Sequence, residues 1–301
     1  MGGALMHVQQ TPAYTPISAV AQLHGSSVRQ RQAFRISVTP QLPHQLAVPV
    51  PAIREIMAQN VYDNQDFFKE YIQLPRQVRG LEGTPEWQDL RALIPNPKGT
   101  NFLDLGCGFG WVCRWAREEG AGSVLGVDVS EKMLSKAAGF PTDPRVTYAQ
   151  ADLETYELPI NKFDIVFSSL TFHYLKKFPD LVSRIHQSLK PGGTLVFSVE
   201  HPIFTAPRNA KFVKDSEGHN IWPLDSYLSE GSRTTNWLAE GVIKQHRTIA
   251  TYITILLEVG FTLSAIIEWG PSLEQLKESP QWADERKRPP FLLMKATKGI
   301  L

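Results

Sequence analysis

From Asn101 onward, apolar and polar residues follow two rhythms. Short runs dense in Leu, Val, Ile and Phe recur at Asn101–Leu105, Ser123–Val129, Val146–Ala151, Phe163–Ser169 and Thr194–Val199. Between them, apolar residues return every three or four positions over 110–119, 130–138 and 179–189, with Gly, Pro and Asp at the joints. The short runs read as strands buried on both faces, and the longer spacing as helices with one buried face. Strands and helices in alternation predict parallel strands joined by right-handed crossovers, with helices on both sides of the sheet. The expected fold class is doubly wound α/β.

Upstream, 52–72 has helical spacing (Ile53, Ile56, Met57, Phe67, Phe68, Tyr71), with Asn64 as a candidate cap. Pro85 to Leu93 reads as another helix, ended before Pro95 and Pro97. Residues 55–95 thus form a helical cap ahead of a core at 96–200. After Val199 the rhythm breaks. Residues 201–248 mix polar and aromatic side chains with no clean period, the mark of a lid or binding insertion. The pattern resumes with a helix at 249–259, a strand at 261–268 and a last strand at Phe291–Ala296, so 249–301 completes a domain spanning 55–301. Residues 1–54 contain no Asp or Glu, several Pro, and Arg29, Arg31, Arg35 and Arg54. They read as a disordered extension or a mitochondrial transit peptide. Pro40, Pro43, Pro49 and Pro51 interrupt any amphipathic helix there and favour the first reading.

Composition narrows the classes. Of 301 residues, 42% are hydrophobic and 20% charged, which suits a globular domain with embellishments. With 31 basic against 30 acidic side chains, there is no global electrostatic case for nucleic acid or an anionic membrane as partner. Apolar runs such as Ile253 to Val259 are too short to span a bilayer. A soluble, cytoplasmic protein is expected, or a mitochondrial one if residues 1–54 are a transit peptide. Cys107 and Cys113 make neither a disulfide framework nor a four-ligand zinc site and read as small apolar residues. Beyond Glu200, no cluster of carboxylates follows the fourth and fifth strands, so no metal is expected.

The most informative residues are Asp104-Leu105-Gly106-Cys107-Gly108-Phe109-Gly110, which follow the first strand and open a helix. Glycines let the backbone turn tightly and approach a ligand, and the helix amino terminus is expected to offer free N–H groups. The spacing is G-x-G-x-G; a nicotinamide dinucleotide site calls for G-x-G-x-x-G, so an oxidoreductase loses ground. Asp128, with Val129, ends the second strand about twenty residues later, where an acid accepts both ribose hydroxyls. Asp152, with Leu153, closes the third strand, placed to accept from an adenine amino group. Ser168 and Ser169 end the fourth. All sit at carboxyl ends of strands, where open α/β sheets bind ligands.

These residues, with Pro191-Gly192-Gly193 before the fifth strand, resemble class I S-adenosylmethionine-dependent methyltransferases, in particular the small-molecule (type 11-like) group, over roughly 60–300. The resemblance implies a seven-stranded, mostly parallel, Rossmann-like sheet whose final strand runs antiparallel. S-adenosyl-L-methionine is the implied cofactor, held by the loop from Asp104 through Gly106, Cys107 and Gly108 to Gly110. Asp128 and Val129 would face the ribose, Asp152 and Leu153 the adenine, and Ser168 and Ser169 the transferring methyl. Arg76 and Tyr71, in the helical cap, would meet the methionine carboxylate, with Arg79 competing. The implied activity is in-line methyl transfer to an O, N or C atom of a small metabolite by a monomer or homodimer.

Such transfer calls for a positioned acceptor and a proton acceptor. His201, beside Glu200 at the end of the fifth strand, is the first choice, His173 the second and His246 the third. Phe204, Trp222, Tyr227 and Trp237 suit a flat or apolar acceptor. Two alternatives stay open: a cyclase or pericyclase using the sulfonium as a fixed charge, and a catalytically silent binding partner.

Overall fold

The computed structural model describes residues 59–300, Thr142 apart. The extension at 1–54 and the first part of the helix expected over 52–72 lie outside the described residues. A 3-10 turn at Val61–Asp63 leads into α1 (Gln65–Tyr71), α2 (Pro75–Val78) and α3 (Trp87–Leu93). The Asn64 side chain accepts from the N–H groups of Asp66 (2.9 Å) and Phe67 (3.1 Å), so α1 starts where the cap residue places it.

Strands and helices then alternate: β1 (Asn101–Leu105), α4 (Trp111–Glu118), β2 (Ser123–Asp128), α5 (Glu131–Ala138), β3 (Val146–Gln150), β4 (Phe163–Ser169), α6 (Phe178–Ser188) and β5 (Leu189–Glu200). After α7 (Pro202–Thr205) come two hairpins, β6 (Val213–Lys214) with β7 (Asn220–Ile221), and β8 (Gly231–Trp237) with β9 (Ala239–His246). The chain closes with α8 (Ile249–Val259), β10 (Phe261–Trp269), α9 (Leu273–Glu278) and β11 (Phe291–Lys298).

The main sheet has seven strands in the order β10-β11-β5-β4-β1-β2-β3. β1 to β5 run parallel, and β11 runs antiparallel to both its neighbours. Successive residues of β1 point to opposite faces: Leu103 and Leu105 join Phe197 and Tyr252 in one core, while Phe102 joins Phe167, Trp87 and Leu90 in the other. The chain leaves β1 toward β2 on one side, and β4 takes up its other side. That reversal opens a crevice at the carboxyl ends of the strands.

The insertion is more regular than its sequence suggests. In β8 the half-buried positions are Gly231, Arg233, Thr235 and Trp237, so the strand carries no apolar alternation to reveal it. The hairpin is tied to the helical cap: Gln59 accepts from the Ile243 N–H (2.8 Å) and donates to the Gly241 carbonyl (3.1 Å). Val242 packs with Val61 and Phe67, joining cap and insertion in one small apolar cluster.

Ser130 ties the cap to the core. Its hydroxyl accepts from the Met133 N–H at 3.1 Å, capping α5, and donates to Asp63 Oδ1. Ser130→Ala removes both bonds, at an expected cost of about 1–2 kcal/mol. Urea unfolding should show a lower midpoint with an unchanged slope.

Candidate active site

The Gly-rich loop is held by its own amides. Gly106 and Cys107 donate to the Val127 carbonyl at 2.7 and 3.1 Å, Gly110 donates to the Cys107 carbonyl at 2.8 Å, and Gly108 donates to Asp128 Oδ2 at 2.8 Å. These four loop amides are therefore taken up within the protein. The loop's contribution is space. At Gly106 φ is +80°, and a Cβ there would stand 2.1 Å from Thr171 Oγ1. At Gly108 φ is +53°, and a Cβ would meet nothing within 4 Å, on the wall of a cavity of ≈ 490 Å³. Gly110 lies off that wall, packed so that a Cβ would approach the Tyr148 hydroxyl to 2.2 Å.

Three carboxylates line one end of the cavity. Asp128 accepts from the Gly108 N–H at Oδ2 and the Ser130 N–H at Oδ1 (2.9 Å). Burial raises its pKa above the usual carboxylate range, and these amides oppose the rise. Each oxygen keeps a lone pair for a ligand. Asp104, 2% exposed, is pushed up to about 7 by burial, with the Cys113 thiol 3.4 Å away opposing. Asp152 accepts the Glu154 N–H at Oδ1 (2.9 Å), and Leu153, Val129 and Cys107 line the same end. These groups fit a nucleoside carrying a positive charge: carboxylates for hydroxyl and amino hydrogens, and room at Gly108 for the ligand's own atoms.

Arg76 and Tyr71 line the wall, whereas Arg79 is exposed and off it. The Arg76 Nη2 bonds both oxygens of the fully buried Glu86, at 3.1 and 3.3 Å, a partner that the motif spacing did not reveal. Burial pushes the Tyr71 phenol up to about 12, so it stays protonated. Of the two serines ending β4, Ser169 lines the cavity. Ser168 is fully buried and donates to the Leu105 carbonyl at 2.7 Å, which removes it from the site.

The expected proton acceptors separate sharply. His201, the first choice, is fully buried off the cavity wall. Its Nδ1 accepts from the Ile203 N–H at 3.0 Å, capping α7, and its Nε2 donates to Glu268 Oε1 at 3.0 Å. His246 is likewise buried off the wall, accepting from the Thr205 hydroxyl and donating to the Tyr227 carbonyl, both at 2.8 Å. Only His173 and Glu200 of the four candidates line the cavity. The Glu200 N–H donates to His173 Nδ1 at 3.3 Å, which puts the imidazole proton on Nε2. Burial, then Lys244 and Arg247, hold the His173 pKa well below its ordinary value. Glu200 Oε1 pairs with the buried Lys244, and Oε2 is buried with no hydrogen-bond partner among the described residues.

Several wall residues were not singled out by the sequence: Tyr174, Trp269, Trp282, Phe291, Glu285 and Arg288. Trp282, Glu285 and Arg288 belong to the polar stretch between β10 and β11, and the antiparallel return of β11 brings them to the crevice. Trp222, read as an acceptor contact, instead stacks on Phe204 behind the wall at 5.7 Å.

The chain is similar in sequence and fold to known methyltransferases. Residues 103–197 match a family described as a methyltransferase domain. The chain superposes on an S-adenosylmethionine dependent methyltransferase from Mesorhizobium loti with a TM-score of 0.71 and 47% identity, covering 73% of this chain and 100% of that one. A Listeria monocytogenes structure provisionally assigned to the same family gives 0.66 and 41% identity, over 71% of this chain and 98% of the other. An uncharacterized protein of Haemophilus influenzae is 37% identical over 251 residues, 79% of this chain and 97% of its own length.

His201→Ala is expected to destabilise the fold by roughly 1–3 kcal/mol, through the lost cap and the unpaired groups left behind. Cofactor affinity, measured by calorimetry, should not change. Burial lowers the His201 pKa against the opposing pull of Glu268. Below about pH 6.5 the unfolded chain therefore binds the proton more readily, and stability falls as pH drops. The variant should show a shallower loss than the parent in that range.

Proposed function

The chain belongs to the S-adenosylmethionine-dependent methyltransferases, and from that premise we propose that it methylates an O, N or C atom of a small molecule held in the same cavity as the cofactor. The observation that carries this reading is continuity. One cavity runs from Asp128 and Asp152 to Glu200, Trp237 and Phe291, under the helical cap and the β8–β9 hairpin.

When bound, the cofactor supplies a methyl group made electrophilic by the positive charge on its sulfur. Asp128 accepts the ribose hydroxyls with the lone pairs its amide bonds leave unused. Asp152 accepts from the adenine amino group. Arg76 offers its remaining N–H donors to the carboxylate while Glu86 balances its charge. The cap and hairpin exclude water from the reacting atoms.

Glu200 takes the acceptor's proton at Oε2, the oxygen left without a partner among the described residues, while Lys244 holds Oε1. His173 orients the acceptor by donating from Nε2. Its lowered pKa and the Glu200 N–H on Nδ1 make it a donor and not a base.

Incubation of the protein with a metabolite extract and methyl-labelled S-adenosylmethionine tests the reading by mass spectrometry. The expected result is label in a small product, with S-adenosylhomocysteine formed one for one. Label confined to RNA or protein would contradict it, and product without S-adenosylhomocysteine would indicate cyclisation. Asp128→Ala should weaken cofactor binding about 5- to 150-fold, or ~1–3 kcal/mol, by leaving ribose hydroxyls unpaired. Unchanged affinity would take Asp128 out of the site.

A further inference from the structure

We infer that the methyl acceptor is a flat, uncharged aromatic molecule, neither a carboxylate or phosphate nor a cation. The inference rests on the methyl-transfer reading above and deepens it. Strand register locates the acceptor end. Trp269 of β10 stands opposite Phe291 of β11, and Phe291 opposite Glu200 of β5, in one row along the carboxyl edge of the sheet. Between β5 and β2, which carries Asp128, lie β4 and β1. At ~4.8 Å per strand, the acceptor end begins about 14 Å from the proposed ribose site.

The arginines that line this end among the described residues, and Lys244 behind Glu200, are already paired. Arg76 bonds the buried Glu86 at 3.1 Å, Lys244 bonds Glu200, and Arg288 bonds Glu285 at 2.7 Å. Arg76 is committed to Glu86 and, in the reading above, to the cofactor's carboxylate, so an anionic acceptor would have to compete with a glutamate for Lys244 or Arg288 in a poorly hydrated site.

A cation is disfavoured for a different reason. The aromatic rings of the wall already carry the protein's own cations: Lys244 lies 4.9 Å from the Trp237 ring, Arg288 4.4 Å from Phe204, and Arg76 5.9 Å from Phe291. A second cation on these rings would meet like charge, and the cofactor itself brings a positive sulfur beside them. Of the aromatic side chains on this wall, Trp269 and Trp282 carry no cation, and the Glu200 Oε2 lacks a donor among the described residues. Aromatic faces suit a flat ring by offset stacking or edge contact, and a carboxylate oxygen suits an O–H or N–H on that ring.

Three probes that share a naphthyl ring and differ in charge separate the possibilities: 2-naphthol, 2-naphthoate and 2-naphthyltrimethylammonium, titrated by calorimetry into the full-length chain loaded with S-adenosylhomocysteine. The expected result is 2-naphthol binding at least about tenfold more tightly than either charged probe. Trp282 is only half-buried, in a 3-10 turn (Pro280–Arg286), so its loss spares the core. Trp282→Ala should weaken 2-naphthol about fivefold or more while leaving S-adenosylhomocysteine affinity unchanged. Equal or tighter binding of a charged probe overturns the inference, as does absence of 2-naphthol binding to protein that binds S-adenosylhomocysteine. A chain that fails to bind S-adenosylhomocysteine strikes at the cofactor site itself.

Discussion

Two backbone amides on one carboxylate organise this molecule's crevice. Asp128 receives the Gly108 N–H on one oxygen and the Ser130 N–H on the other, joining the loop after β1 to the start of α5. The Gly108 bond, with those of Gly106 and Cys107 to the Val127 carbonyl, holds a loop of three positive-φ glycines against the tip of β2. Without the Ser130 bond, the cap of α5 and its link to Asp63 would lose their reference point. The carboxylate is costly to bury, as its raised pKa records, and the amides offset that cost. A group held this way is preorganised: it is fixed on the cavity wall by the fold's own amides.

The opposite end of the cavity is built on pairing. Three buried or half-buried cations, Arg76, Lys244 and Arg288, each meet a glutamate and each lie against an aromatic ring. Arg288 is further enclosed by Trp222 at 4.3 Å and Phe212 at 5.2 Å, so it fastens the insertion to the segment before β11. The charges serve cohesion of the wall, and Trp282 beside them carries no cation of its own. The β8–β9 hairpin and the helical cap share the remaining cover through Gln59, Val61, Phe67 and Val242.

The core was legible in the sequence because its signals are redundant. Strands β1, β2 and β4 are buried on both faces, so apolar runs mark them, and Asp128 and Asp152 fall at the strand tips that the topology demands. What escaped reading lacks such redundancy. β8 presents Arg233 and Thr235 on its half-buried side, and no hydropathy pattern distinguishes that from a loop. The Arg76–Glu86 pair joins two short helices whose relative placement depends on tertiary packing. His201 and Glu200 are adjacent in sequence, yet strand pleat and the start of α7 send one imidazole into the fold and leave the carboxylate on the cavity. Adjacency at a strand tip identifies a neighbourhood, and the alternation of side chains decides which member faces the ligand. Trp282 and Arg288 became visible only once β11 was seen to return beside β5.

The central claim is that the cofactor lies along the carboxyl edge with its ribose on Asp128, leaving the aromatic end open for an acceptor. A crystal structure of the full chain grown with S-adenosylhomocysteine tests this most directly. The account predicts density with both ribose hydroxyls on the Asp128 carboxylate, the adenine beside Asp152 and Leu153, and unfilled space between Trp237 and Phe291. Density for the nucleoside among those aromatic rings, or anywhere away from the strand tips of β1 to β3, would contradict it.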